Sequence, residues 1–138
     1  MTITKQVTML LMTLVGMAGL LSAQTSTAVK AQVPFEFVAN GKTMPGGECT
    51  ISVVTDGRSL LSIRSGDQHV YAISVPDESP NARKKTALVF HRYGDRYFLT
   101  GIKRENSSGY QLPVNKLERE LQARNVRWQV FTLLASAK

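Results

Sequence analysis

Turn signals at short intervals divide most of this chain into brief runs of β-branched and aromatic residues. Asn-Gly and Asp-Gly pairs favour two-residue hairpin turns, because both central positions of such a turn need a positive φ. Short strands at this spacing are typical of a small antiparallel β-sandwich or barrel. The signals are Asn40-Gly41, Pro45-Gly46-Gly47, Asp56-Gly57, Ser65-Gly66-Asp67 and Gly94-Asp95.

The runs between these turns predict a mainly β fold. Each run is rich in residues that favour strands, such as valine, isoleucine, threonine, tyrosine and phenylalanine. Together they predict about seven strands, at 33–38, 49–55, 59–64, 69–75, 86–93, 96–102 and 126–134.

The clearest predicted hairpin surrounds Gly94-Asp95. If these two residues form the loop, Tyr93 pairs with Arg96, and the same register continued places Lys85 opposite Arg104. Apolar residues fall on both faces of this hairpin, so both faces need to be covered by other parts of the chain.

One short helix is predicted near the C-terminus, at about 114–123. Its apolar residues recur at helical spacing on one face, so we expect the helix to lie on the sheet and cover the hairpin. Glu118 and Glu120 are assigned to the solvent-exposed side. The predicted apolar face carries Val114, Leu117 and Leu121.

The N-terminus has the order of regions of a secretory signal peptide. Lys5 precedes the apolar run 7–21, and Ala23 ends a small-residue cleavage site. Fifteen residues make about 22 Å of helix, less than the roughly 30 Å of a bilayer core, so a cleaved signal is favoured over an uncleaved anchor. Cleavage after Ala28 or Ala31 is the alternative.

These observations predict three regions and an exported protein. Residues 1–23 form the signal peptide, 24–31 a disordered mature N-terminus, and 32–138 a single β domain. We expect the mature protein in the periplasm or outside the cell, with no permanent membrane span after cleavage.

The net charge of the chain limits the classes of binding partner only slightly. The chain carries a net charge of +7, and from Gln32 onward it has 15 basic and 10 acidic side chains, a net charge of +5. This balance favours anionic neighbours such as lipid headgroups, acidic polysaccharide or nucleic acid, and no specific nucleic acid is predicted.

Few side chains suggest catalysis. His69, His91 and Cys49 could form a thiol–imidazole pair, but their spacing matches no zinc or metalloprotease motif. We therefore predict no catalytic residue, no cofactor and no metal ligand. A small hydrolase or thiol-dependent enzyme using Cys49 or a histidine stays open as an alternative, and a Cys49 buried in the core would exclude the thiol.

Basic and aromatic residues alternate along the predicted hairpin. Such surfaces bind sugars or nucleic acid through stacking and charge, whereas charged residues on a sheet edge also prevent aggregation. The candidate binding residues are Arg92, Tyr93, Arg96, Tyr97 and Lys103.

Several segments resemble a group of short, uncharacterised exported proteins abundant in acidobacteria. Val-Pro-Phe-Glu-Phe at 33–37, Gly-Lys-Thr-Met-Pro at 41–45 and the hairpin at 88–99 carry the resemblance, together with the charged helix at 117–121. Cys49 stands where these proteins usually have an aromatic residue. The resemblance implies export and a small β domain, and it implies no activity.

The sequence therefore predicts a non-enzymatic binding or interaction module of the periplasm or cell envelope. An anionic envelope component or another protein is the expected partner. Besides the enzyme, a barrel that carries a small apolar ligand is the remaining alternative, and it requires an internal cavity of a few hundred cubic ångströms, roughly the size of a ligand pocket.

Overall fold

A computed structural model describes residues 28–55, 59–77, 85–105 and 107–137. These residues form a mainly β fold with one short helix near the C-terminus, as predicted. The elements are β1 (Val29–Val33), β2 (Phe37–Ala39), β3 (Lys42–Met44), β4 (Gly47–Thr55), β5 (Leu60–Ser65), β6 (Gln68–Ile73), β7 (Val75–Asp77), β8 (Ala87–Tyr93), β9 (Arg96–Arg104), β10 (Ser107–Gln111), α1 (Lys116–Ala123), β11 (Gln129–Leu134) and β12 (Ser136–Ala137).

The predicted signal peptide and the predicted turn at Asp56-Gly57 lie outside the described residues. Within the described part of the chain, no helix has the length and apolar character needed to cross a membrane.

The strands form two open sheets, so the fold is not a closed barrel. The five-stranded sheet has the order β12-β1-β4-β5-β6, and the seven-stranded sheet has the order β11-β8-β9-β10-β7. Strand β2 joins β9 in parallel, and β3 pairs with β2. The chain passes between the sheets after β1, β3, β6 and β11, so both termini of the described domain belong to the five-stranded sheet.

The core lies between the sheets and follows from strand alternation. Every second residue of β4 and β5 points inward and meets the inward residues of β8 and β9. Burying each large apolar side chain contributes about 1.5–3 kcal/mol, so this layer dominates the stability. Its side chains fill the space that an apolar-ligand barrel would leave open, and they include Phe37, Met44, Cys49, Ile51, Leu61, Ile63, Leu88, Phe90, Leu99 and Ile102.

The predicted strand 33–38 is wrong as a single element, because the chain changes sheets within it. Pro34 has no N–H for a ladder bond, so β1 ends beside it and β2 starts in the other sheet. Gly46 packs into the break, where a Cβ would lie 3.0 Å from the carbonyl oxygen of Val33.

Strand β1 also begins earlier than the predicted domain boundary. Residues 29–31 pair with β4, so the predicted disordered segment 24–31 is too long. The side chains of Val29 and Ala31 are buried in the core.

The hairpin of β8 and β9 has the predicted register near its turn, where Tyr93 pairs with Arg96. A β-bulge at Thr100 then shifts the register by one residue, so that Ala87 pairs with Lys103. The predicted pairing of Lys85 with Arg104 is therefore wrong.

Helix α1 covers the outer face of the seven-stranded sheet, as the apolar spacing predicted. It starts after Asn115, whose Oδ1 accepts a hydrogen bond from the Glu118 N–H at 2.8 Å. Val114 therefore lies outside the helix. Leu117 and Leu121 pack on a small cluster of Val38, Tyr93 and Phe98.

Candidate functional site

A cluster of polar side chains is buried where α1 meets β8. Glu118 is only 2% exposed, and its Oε1 lies 2.6 Å from His91 Nδ1. The Tyr93 hydroxyl donates to the same oxygen at 2.9 Å, and Gln122 Nε2 donates to the Tyr93 hydroxyl at 3.0 Å. We call these four residues the Glu118 cluster.

The local geometry of two elements brings the four side chains together. His91 and Tyr93 are two residues apart on a strand, so they point to the same face. Glu118 and Gln122 are four residues apart on a helix, so they also share a face. The cap at Asn115 sets where the helix begins and holds the first turn that carries Glu118.

The prediction that Glu118 lies on the solvent-exposed side of the helix is wrong, whereas Glu120 is exposed. Glu118 lies next to Leu117 around the helix, and the inward face is wide enough to include both. A useful signal was the polar pair Glu118–Gln122 beside two inward leucines, because a polar pair in that position needs polar partners on the sheet.

The carboxylate is buried with two donors, which compensates its lost hydration. The pKa of Tyr93 is raised to about 12, mainly by burial; the hydrogen bond and negative charge of Glu118 also raise it, whereas the hydrogen bond with Gln122 lowers it. Tyr93 therefore stays protonated and keeps donating to Glu118 near neutral pH.

His91 is held on one side and open on the other. Its Nδ1 contacts Glu118, and its ring packs on Trp128 with 4.3 Å between ring centroids. Its Nε2 has no hydrogen-bond partner among the residues that the structure describes, and the side chain is 21% exposed. With Nδ1–H directed at the carboxylate, Nε2 offers a lone pair when the ring is neutral and an N–H when it is protonated.

His91 lines a groove of about 220 Å³ on the outer face of the seven-stranded sheet. The floor is low at Gly101, which has no side chain between Val89 and Tyr110. Lys103 and Asp77 supply charged groups, and apolar side chains form much of the remaining wall. Those wall residues include Val89, Leu112 and Val114.

The candidate binding residues of the hairpin do not form one surface. Arg92 is exposed, and its guanidinium lies 5.5 Å from the ring centroid of Tyr97. Tyr93 is buried in the Glu118 cluster, Arg96 is exposed beside the turn, and Lys103 lies in the groove. Only Arg92 and Tyr97 are brought into contact, because neighbouring residues of a strand point to opposite faces.

Tyr97 belongs to a half-buried aromatic group at one end of the core. Its ring stacks on Phe35 with 3.7 Å between centroids, and both rings contact Phe131 edge to face. The ring of Tyr97 therefore serves packing as well as the contact with Arg92.

The thiol alternative is contradicted by the position of Cys49. This side chain is fully buried on the inner face of β4, and burial raises its pKa to about 12. A thiol in this state is neither accessible nor ionised near neutral pH, so it cannot act as a nucleophile.

A serine–histidine contact that the sequence did not suggest lies on the other sheet. Ser62 Oγ is 2.7 Å from His69 Nε2 on the outer face of the five-stranded sheet, beside the exposed ring of Tyr71. Among the described residues, no carboxylate contacts His69, and Glu118 orients His91 on the opposite outer face. The three parts of a catalytic triad are thus divided between two faces.

Within the described ranges, no three His, Cys, Asp or Glu side chains are grouped so that they could hold a metal ion. No protein family matches this chain, and no curated protein or solved structure matches it. The resemblance to exported acidobacterial proteins stays a prediction.

Proposed function

We propose that this chain is an exported, non-enzymatic binding module of the periplasm or cell envelope, and that its binding site is the groove beside His91. The observation that carries the proposal is the 2.6 Å contact between Glu118 and His91. It fixes the imidazole through Nδ1 and leaves Nε2 available to a ligand, which is how a rigid site presents one polar group.

The ligand that fits best is a small anion with a short apolar part. The Lys103 ammonium can donate to a carboxylate or phosphate, and its charge opposes the repulsion of an anion by Asp77, which lines the same groove. His91 Nε2 can donate to the same group when the ring is protonated. Val89 and Leu112 provide apolar contact. The groove is smaller than the pockets of about 300–1,000 Å³ that hold drug-sized ligands, so it takes a small molecule or the end of a larger one.

Titration with hexanoate and with hexyl phosphate, followed by NMR, tests this site. We expect shifts of the His91 ring and of the Gly101 amide, and we expect Lys103→Gln to weaken binding about tenfold, because it removes one charge-assisted hydrogen bond. Lys30→Gln is the matched control, since Lys30 is an exposed lysine on the five-stranded sheet. Equal weakening by both variants, or shifts confined to other surfaces, would contradict the proposal.

Export is tested by the N-terminus of the protein recovered from cells. We expect a chain that begins after Ala23 or Ala28, because cleavage after Ala31 would remove two buried side chains and most of β1. Mass spectrometry of the periplasmic or secreted fraction measures this directly. An intact Met1 on protein from the cytosol would contradict export.

A hydrolase is the second candidate, and the Ser62–His69 contact favours it because a nucleophile needs its base within hydrogen-bond reach. A fluorophosphonate probe should then label Ser62, and His69→Ala should abolish the labelling. His91→Ala is the matched control, since His91 lies on the opposite outer face. Absence of labelling in the wild-type protein would leave the binding module as the proposed function.

A further inference from the structure

Most sheet edges in the described part of the chain are protected against pairing with other strands. At the edge of β6, Asn40 donates to the carbonyl of Tyr71 at 2.8 Å, and Lys42 donates to the carbonyl of His69 at 3.0 Å. Strand β7 has three residues including Pro76, and β12 has only two residues. Short strands, proline and lysine are the usual means by which proteins protect sheet edges.

The edge at β11 has none of these protections. Residues 128–137 contain no charged residue, proline or glycine, and β11 is six residues long. Val130 is 59% exposed and Leu134 is 64% exposed. A long, uncharged and apolar edge is a template for adding another strand.

Among the described residues, no strand pairs with the backbone of β11 on the side away from β8. The Ala135 N–H donates to the Thr86 carbonyl on the β8 side. Because backbone groups alternate along a strand, those of Val130, Thr132 and Leu134 point to the free edge. These are also the residues whose side chains face outward, away from the core.

We propose that β11 pairs with β11 of a second copy of this chain, antiparallel, with Thr132 on the two-fold axis. In this register Val130 of one copy lies opposite Leu134 of the other, and the symmetry makes this apolar contact twice. The backbone groups on the free edge meet their counterparts, and the two sheets become continuous.

The absence of charged residues along β11 favours a second copy of this chain as the partner. Two copies that both carry a net positive charge repel each other over most of their surfaces, so they associate best where charges are absent. The nearest charge along the chain is Arg127, which precedes β11 and so lies outside the paired segment. A strand pair buries less than the roughly 1,200 Å² of stable complexes, so we expect dissociation constants on the order of 10–100 μM.

The first test is amide hydrogen exchange of the wild-type protein at concentrations below and above this range. The amides of Val130, Thr132 and Leu134 should be protected only at high concentration. Those of Phe131 and Leu133 are the internal control, because they point to β8 at every concentration. Protection of the outward amides at all dilutions would mean that another part of the same chain covers the edge, and it would overturn the proposal.

The second test is sedimentation equilibrium of variants. Val130→Lys should weaken the dimer about tenfold or more, because it buries an unpaired charge against Leu134 of the second copy. Adding Leu134→Glu should restore association, since the introduced lysine of one copy then faces the introduced glutamate of the other. Ile73→Lys is the matched control, because Ile73 is 66% exposed on the other sheet.

A wild-type protein that stays monomeric above this range would overturn the proposal, and so would a dimer that Ile73→Lys disrupts and Val130→Lys does not. Association of Val130→Lys that stays weak after Leu134→Glu is added would overturn the proposed register. All substituted side chains are exposed in the single chain, and a thermal melt of each variant checks that it folds.

Discussion

The Glu118 carboxylate lies between α1 and the seven-stranded sheet, and the other contacts between these two elements are largely apolar. His91 and Tyr93 both contact its Oε1, and its backbone N–H is bound by Asn115. A buried charge is stable only while its hydrogen-bond partners are present. Removal of any one member of the group therefore leaves the remaining buried polar atoms unpaired and lowers the free energy of unfolding.

Replacing Glu118 by leucine should therefore destabilise the protein by about 3 kcal/mol, because the hydroxyl of Tyr93 and Nδ1 of His91 lose their acceptor. Glu118→Gln keeps one acceptor oxygen and should have a smaller effect. Urea unfolding measures both, with Glu120→Gln as the control at an exposed position of the same helix. An equal effect at the two positions would contradict the buried cluster.

Tyr93 makes stability depend on pH at the alkaline end. Its pKa is near 10 in the unfolded chain and about 12 in the folded protein, so folding favours the protonated hydroxyl. This stabilisation is present below pH 10 and should be lost as the pH rises through about 12. Tyrosinate absorbance during titration should show one late transition that Tyr93→Phe removes and Tyr71→Phe, at an exposed tyrosine, does not.

The backbones of β9 and β10 approach each other more closely at Gly109 than at Gly101. A Cβ on Gly109 of β10 would lie 2.5 Å from the Ile102 carbonyl oxygen, where neither backbone can move without breaking the ladder. A Cβ on Gly101 of β9 would lie 3.3 Å from the Tyr110 carbonyl oxygen, which a small shift relieves. The irregular pairing of β9 with β10 thus depends on one glycine and tolerates change at the other.

Gly109→Ala should accordingly lower the free energy of unfolding by about 2 kcal/mol or more, through backbone displacement. Gly101→Ala, the matched variant, should change it little, since alanine suits a strand better than glycine does. Thermal or urea unfolding compares the two. Similar losses in both variants would argue against a backbone collision at Gly109.

Local signals predicted the longer strands and the helix, but not the short strands β3, β7, β10 and β12, nor how the elements meet. The turn at Gly94-Asp95 determined the register of the hairpin, and the spacing of Leu117 and Leu121 determined the helix face. No local pattern in the sequence marks the bulge at Thr100. Burial of Glu118 depends on which strand faces the helix, and that contact joins residues far apart in the sequence.

The whole molecule is a sandwich whose two outer faces carry different chemistry. His91 and its groove lie on the face that α1 partly covers, whereas the Ser62–His69 contact lies on the other face. The sequence predicted a sandwich or a barrel, but it could not separate these faces, because assigning a residue to a sheet requires the order of strands. The passage of the chain between sheets after β1 was missed for the same reason.

Cys49 is the only cysteine, and it reports on the opening of this sandwich. A thiol reagent should react with it in the folded protein only as fast as the sheets separate, because the side chain is fully buried. The free energy derived from labelling should match that from urea unfolding, and Glu118→Leu should accelerate the labelling. Reaction at the rate of a free thiol under native conditions would contradict the packing of the two sheets.

Sharing one carboxylate also has an evolutionary consequence. Because Glu118 serves His91 and Tyr93 at once, a lineage that loses the acid leaves two donors stranded, and further change at those positions becomes advantageous. Descendants should retain all four residues of the Glu118 cluster or replace all four with apolar side chains. Sequences that keep only some of the four residues should not persist, so we expect the four positions to change together.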